Sequence, residues 1–244
     1  DNYLKVITVI GTRPEAIKLA PVVLELNKRP DIDSVVCVTA QHRQMLDQPL
    51  ELFDIKPQHD LDIMTAGQSL AQVTSRAIEG LDRVIAAEQP DWVLVQGDTT
   101  TAFCGALAAF YQRVKVGHVE AGLRTLNKWS PYPEEMNRCL VGQLADYHFA
   151  PTERSKNALL REGFKADGIF VTGNTVIDAL LWARARLADY KVELPAGLQA
   201  KLDGKRVVLV TGHRRESFGE GFRNICKAIK AVADKMPDVA FVYP

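Results

Sequence analysis

The stretch Lys5–Leu26, "KVITVIGTRPEAIKLAPVVLEL", carries the pattern on which the fold turns. Lys5–Gly11 is an apolar run with hydrophobic residues on both alternating faces, as expected of a strand covered by helices on both sides. A glycine ends the run and a charged loop follows. Ile17, Val22, Val23 and Leu26 then keep helical spacing. The theme returns in "SVVCVTA" (Ser34–Ala40), "DWVLVQGD" (Asp91–Asp98), "VKVGHVE" (Val114–Glu120), "YHFAP" (Tyr147–Pro151) and "GIFVTG" (Gly168–Gly173). Between these strands, Leu70, Val73, Ala77, Leu81, Val84 and Ile85 keep the helical period. Strands alternating with helices imply an α/β protein with an open, doubly wound parallel sheet. Ligands of such sheets bind at the carboxyl ends of the strands.

After Gly173 come a helix-like run, a loop over Pro195–Lys205 and a second strand–glycine–charged-loop unit, "RVVLVTGHRRESFGEGF". A helix with Phe222, Ile225, Cys226, Ile229, Val232 and Met236 on one stripe leads to a last strand, "VAFVYP". Two strands in about 70 residues make a poor independent core. The expected organisation is an N-terminal Rossmann-like domain over 1–172 and the first part of a C-terminal Rossmann-like domain over 173–244, the remainder being absent.

Bulk composition excludes several classes. Thirty basic and 30 acidic residues cancel, which disfavours a nucleic-acid or polybasic membrane surface. Apolar runs fall short of the ~20 residues needed to cross a bilayer, and the N-terminal stretch lacks the pattern of a secretory signal. The four cysteines (Cys37, Cys104, Cys139, Cys226) are widely spaced and read as reduced core or near-core thiols of a cytosolic protein. The five histidines show no zinc-binding spacing and there is no G-x-S-x-G elbow, so neither a metal nor serine-hydrolase chemistry is expected.

Four loops can carry chemistry. "GTRPEAIKLAP" opens a helix at the sheet's carboxyl edge, where free N–H groups and Arg13 suit a phosphate; the bland alternative pairs Arg13 with Glu15. It has one glycine where a dinucleotide fingerprint needs three. "QGDTTTAF" places Asp98 at a strand end, either as a helix cap or as a carboxylate at the mouth of a site. "HVEAGLRTLNKWSPYPEEMNR" (His118–Arg138) puts Glu120 where a buried strand ends, so desolvation favours a general acid–base role. The following loop is long for an α/β connection, and Trp129 and Tyr132 argue that it is ordered. Pro133 suits a helix start, with Glu134 and Glu135 at its positive end; as mere dipole partners these two would leave Glu120 and the loop unexplained. In "TGHRRES", His213 follows a strand and Gly212 and precedes two arginines, a setting for a diphosphate. Together the loops describe a cleft with cations for a diphosphate and carboxylates plus a histidine for proton transfer.

In this order, "GTRPEAIKLAPVV", "TAQHRQMLD", "VQGDTTTAF", "GHVEAGLRT", "PYPEEMNR", "FAPTERSKNALLREG", "VTGNTVIDAL" and "VTGHRRESFG" resemble the bacterial non-hydrolysing UDP-N-acetylglucosamine 2-epimerases, essentially along the whole chain. The resemblance implies a two-domain glycosyltransferase-B type fold and a cytoplasmic homodimer that feeds surface polysaccharide synthesis, with UDP-N-acetylglucosamine and UDP as ligands and no cofactor. It implies interconversion with UDP-N-acetylmannosamine by loss of the C2 proton and UDP, through 2-acetamidoglucal, and re-addition. Asp98, Glu120, Glu134 and His213 match the family's proton-transfer residues. Arg13 matches its diphosphate arginine and Lys18 the lysine of its first helix; Gln41, His42 and Gln44 match part of an allosteric site. Family members run well over 300 residues, so this chain alone is expected to turn over little. Rival readings are a hydrolysing relative releasing N-acetylmannosamine and UDP, a glycosyltransferase of the same fold, and a non-catalytic nucleotide-sugar binding module.

Overall fold

The computed structural model describes residues 3–40, 43–65, 67–187, 194–212 and 219–243. They form two compact units, Asp1–Ala188 and Asp189–Pro244. The first is built on seven strands: β1 (Leu4–Ile10), β2 (Ile32–Val38), β3 (His59–Asp60), β4 (Trp92–Gln96), β5 (Lys115–Val119), β6 (Tyr147–Ala150) and β7 (Ile169–Val171). They lie in the order β3-β2-β1-β4-β5-β6-β7, every pair parallel. In register, Ile7 faces Val35 and Val93 faces Val116.

The helices are α1 (Arg13–Asn27), α2 (Arg43–Leu52), α3 (Leu70–Glu88), α4 (Thr100–Tyr111), α5 (Glu134–Leu144), α6 (Glu153–Arg161) and α7 (Thr175–Arg186). One core joins Ile7, Val9, Val93 and Val95 to Val73, Leu81 and Ile85 of α3 and Ala106 of α4. A second joins Ile10, Val36 and Val38 to Leu19 and Val23 of α1 and to Leu46 of α2. Helices thus cover both faces, which is why β1 is buried without alternation from Val6 to Ile10. Each fully buried Leu or Ile here contributes about 1.5–3 kcal/mol of transfer free energy.

The chain steps from β1 to β2 in one direction and to β4 in the other, so strand order reverses between β1 and β4. Two glycines shape that point. A side chain on Gly11 would overlap Thr101 of α4, and Gly97 takes a φ of +71°, left-handed backbone that suits glycine.

Elsewhere the observed elements differ from the expected ones. The two-residue edge strand β3 carries no periodicity and escapes pattern reading. Leu70, expected on the buried stripe of α3, is exposed at its first turn, where Ser69 and Gln72 form a capping box. The first compact unit extends through Ala188 and so includes α7. Ala179 of α7 is buried in the α1 core, and Trp182 packs in a tilted ring pair on Phe53 with centroids 4.5 Å apart.

In the second unit, α8 (Leu198–Leu202), β8 (Arg206–Leu209), α9 (Glu220–Lys235) and β9 (Val239–Val242) give a two-stranded parallel sheet. All four residues of β8 are exposed. None of the apolar stripe of α9 is buried, and Cys226 is exposed, against the expectation of a near-core thiol. Two strands and one long helix cannot enclose a core. In the first unit, Leu94, Tyr147 and Phe149, with Val22 and Leu26 of α1, leave open an apolar groove of 450 Å³. Among the described residues no helix is long and apolar enough to cross a membrane.

Candidate active site

Three polar side chains meet on the carboxylate of Glu120. β5 ends at Val119, and Glu120 then adopts a φ of +63°, uncommon for a residue with a side chain. Lys18 Nζ of α1 lies 2.6 Å from Glu120 Oε2, which also accepts a hydrogen bond from Gln96 Nε2 at the end of β4. Asn174, the residue that caps α7, donates from Nδ2 to Glu120 Oε1 at 3.3 Å. The carboxylate at the end of this buried strand is thus held by an ammonium and two amides.

Asp98 lies beside it, in the turn between β4 and α4. Arg138 Nη2 of α5 is 2.6 Å from Asp98 Oδ2. Burial pushes the Asp98 carboxyl above the usual range, Arg138 and Lys18 pull it back, and the charges of Glu134 and Glu120 raise it. Asp98 is not the helix cap; Thr99 is, its Oγ1 accepting from Ala102 N–H. The turn is fixed from β5: Gly97 N–H donates to the Val119 carbonyl, and the buried His118 donates from Nε2 to the Gly97 carbonyl at 2.8 Å. A carbonyl can only accept, so the proton sits on Nε2, and burial pushes the His118 pKa down to about 3, keeping the ring neutral.

Glu15, fully buried on α1, accepts from Gly11 N–H (3.2 Å) and Thr99 Oγ1 (2.8 Å). Arg13 is exposed at the first turn of α1 and makes no ion pair among the described residues. The alternative Arg13–Glu15 pair is not among the ion pairs of the described residues. Glu134 starts α5 half-buried. Its neighbour Glu135 is buried and accepts both Thr125 N–H and Leu126 N–H at 2.9 Å, fastening the loop that follows Glu120. Trp129 and Tyr132 stack on each other, centroids 5.8 Å apart, on the exposed side of that loop.

Lys18, Asp98, Glu120 and Arg138, with Thr12 and Glu15, line a cleft of 140 Å³ at the strand-order reversal. The starts of α1 and α4 open onto it, a setting that suits an anion. Typical small-molecule pockets hold roughly 300–1,000 Å³, so this cleft takes only part of a nucleotide-sized ligand. Arg13 and Glu134 stand outside its lining. His213, Gln41 and His42 fall outside the described residues, as does the side chain of Gln44. Among the described residues, no group of three or more His, Cys, Asp or Glu side chains is placed to hold a metal ion.

Residues 24–244 match the family model described as UDP-N-acetylglucosamine 2-epimerase. The chain belongs to the UDP-N-acetylglucosamine 2-epimerase family. The UDP-N-acetylglucosamine 2-epimerase of Salmonella typhimurium is 56% identical over 244 residues, which cover 99% of this chain and 65% of the relative. The crystal structure of the UDP-GlcNAc 2-epimerase of Neisseria meningitidis, bound to UDP-GlcNAc, is 51% identical with a TM-score of 0.87, covering 99% of this chain and 66% of that one. The UDP-bound S. aureus structure is 48% identical with a TM-score of 0.85, covering 99% and 62%. This chain thus spans about two thirds of their length, and its α/β architecture is of the glycosyltransferase-B type that such epimerases adopt.

Reading the sequence for epimerase residues finds Asp98, Glu120 and Lys18 in this cleft but misses Arg138, Gln96, Asn174 and Glu15. Arg138 carried a usable signal: in "PEEMNR" it lies three and four residues after the two glutamates, on one side of a helix. Gln96 and Asn174 carried none, since each reaches Glu120 across a long stretch of chain.

Proposed function

We propose that the full-length protein interconverts UDP-N-acetylglucosamine and UDP-N-acetylmannosamine. The supporting observation is one small cleft in which two carboxylates, Asp98 and Glu120, lie against two cations, Arg138 and Lys18, beside two helix starts. Such a site both moves protons and steadies a leaving anion.

The chemistry sets the requirements. A C2–H of a sugar is barely acidic, so its removal needs a placed base and a departing diphosphate held by cations. In the first step a base takes the C2 proton while the C1–O bond to UDP breaks, and the electron pair of C2–H becomes the C1–C2 double bond of 2-acetamidoglucal. UDP then re-adds at C1 as a proton reaches the opposite face of C2. Asp98, Glu120 and Glu134 are the carboxylates assigned to these transfers, with His213 alongside. Arg13, exposed at the start of α1, is assigned to the diphosphate, and Lys18 keeps Glu120 aimed. A homodimer, a cytoplasmic site of action and an effector site at Gln41, His42 and Gln44 belong to the same reading and rest on the family resemblance.

The test is proton NMR of UDP-N-acetylglucosamine with the full-length protein. Appearance of UDP-linked N-acetylmannosamine supports the reading, and free N-acetylmannosamine with UDP makes it the hydrolysing reaction. An unchanged spectrum with ligand bound makes it a sensor or a transferase.

A further inference from the structure

We propose that Glu15 is a positioning residue, tying the loop after β1 to the loop after β4 so that the start of α1 and Asp98 move as one rigid assembly. This rests on the epimerase reading above and assigns a role to a side chain outside the proton-transfer set. The two oxygens of Glu15 go to different loops, Oε2 to Gly11 N–H and Oε1 to Thr99 Oγ1. Gly11 directly precedes Thr12 and Arg13 at the start of α1, and Thr99 directly follows Asp98. The hydroxyl of Thr99 serves both ends: it accepts from Ala102 N–H as the α4 cap and gives its only proton to Glu15. On the far side of Asp98, its carbonyl accepts from Asn137 Nδ2 at 2.9 Å. The Asp98 backbone is therefore clamped between α1 and α5.

A purely space-filling role does not call for an acid. Glu15 is 0% exposed and has no ion-pair partner among the described residues, an arrangement that is expensive for a carboxylate. Burial pushes its pKa up to about 7, partly offset by the hydrogen-bond donors of Thr12, Thr99 and Gly11. The charged groups sharing its cleft are Lys18 on its own helix, Asp98 after β4, Glu120 after β5 and Arg138 on α5.

The experiment uses the full-length protein with Glu15→Gln, which keeps shape and span, and Glu15→Ala, which removes both acceptors. Turnover of UDP-N-acetylglucosamine is followed against pH, and amide hydrogen exchange is followed in the 11–13 and 98–101 segments. The expected result is a kcat about 10- to 100-fold lower in Glu15→Ala, partly recovered in Glu15→Gln, with KM within about threefold of wild type. Glu15→Gln also flattens the change of kcat between about pH 6 and about pH 8. Both segments exchange faster together in Glu15→Ala while β2 stays unchanged. Wild-type kcat and pH profile in folded Glu15→Ala overturn the proposal, even if melting temperature falls, because that pattern is structural only. Faster exchange in one segment alone overturns it too. A wild-type protein without epimerase activity overturns the functional reading instead, and the paired exchange then still decides whether the tie exists.

Discussion

Glu120 and Asp98 have neighbours that assign each a different electrostatic setting. Glu120 is held by Lys18 at 2.6 Å and by two amides, whereas Asp98 combines burial with Arg138 at 2.6 Å and two nearby carboxylates that raise its pKa. Glu120→Gln and Asp98→Asn each keep shape and remove a proton acceptor. Each is expected to lower epimerisation about 10²- to 10⁴-fold with the fold intact, as checked by turnover alongside circular dichroism. His118 makes a second prediction, concerning stability. Its folded pKa of about 3 lies below the ordinary 6.5, so the folded state holds it neutral where the unfolded chain takes up a proton. Stability attributable to it is complete above pH 6.5 and is lost as pH falls from there toward 3, at up to about 1.4 kcal/mol per pH unit. His148, buried with a pKa of about 4, acts in the same direction. Thermal melts should show this acid loss, and a smaller one in His118→Gln, whose amide can still donate to the Gly97 carbonyl.

At the scale of elements, the loop between β5 and α5 depends on one buried side chain. Glu135 takes two backbone N–H groups through a single oxygen, so Glu135→Ala removes both bonds. The expected loss is about 0.5–1.5 kcal/mol for each hydrogen bond removed, since Thr125 and Leu126 are exposed and water can reach their amides, read by denaturant unfolding, together with faster proteolysis between Leu123 and Pro131. The same elements show how far sequence carries. The strands β1, β2, β4, β5, β6 and β7 were readable because residues apolar on both faces have one common explanation, a sheet covered twice. β3 was not, since two residues have no period, and α9 was misleading, since an apolar stripe states what a helix can bury and not what covers it. Asp98 taken by itself read first as a cap, and only the geometry shows Thr99 taking that task. Lys18 and Glu120 were each singled out, but their contact across 102 positions is a product of sheet order, which local pattern does not contain. Pairing Glu15 with Arg13 was one of two open readings of that loop; buried, Glu15 accepts from Gly11 and Thr99 instead.

For the whole molecule, size decides. The cleft of 140 Å³ is smaller than a nucleotide-sugar requires, and the chain spans 65% of its Salmonella relative. The 244-residue chain by itself is therefore expected to bind UDP weakly and to turn over little or no UDP-sugar; calorimetric titration showing tight UDP binding would contradict this. Its open groove beside Leu94, Tyr147 and Phe149 should also bind an apolar fluorescent dye, and Leu94→Gln should weaken that signal. The central claim concerns a proton at C2 and the carboxylate after β5, and one measurement addresses both. Full-length wild type and Glu120→Gln are incubated with UDP-N-acetylglucosamine in D2O and the C2 position is followed by proton NMR. The account predicts deuterium at C2 with wild type and essentially none with folded Glu120→Gln. Product formed without deuterium at C2, or equal exchange by the two proteins, would contradict it.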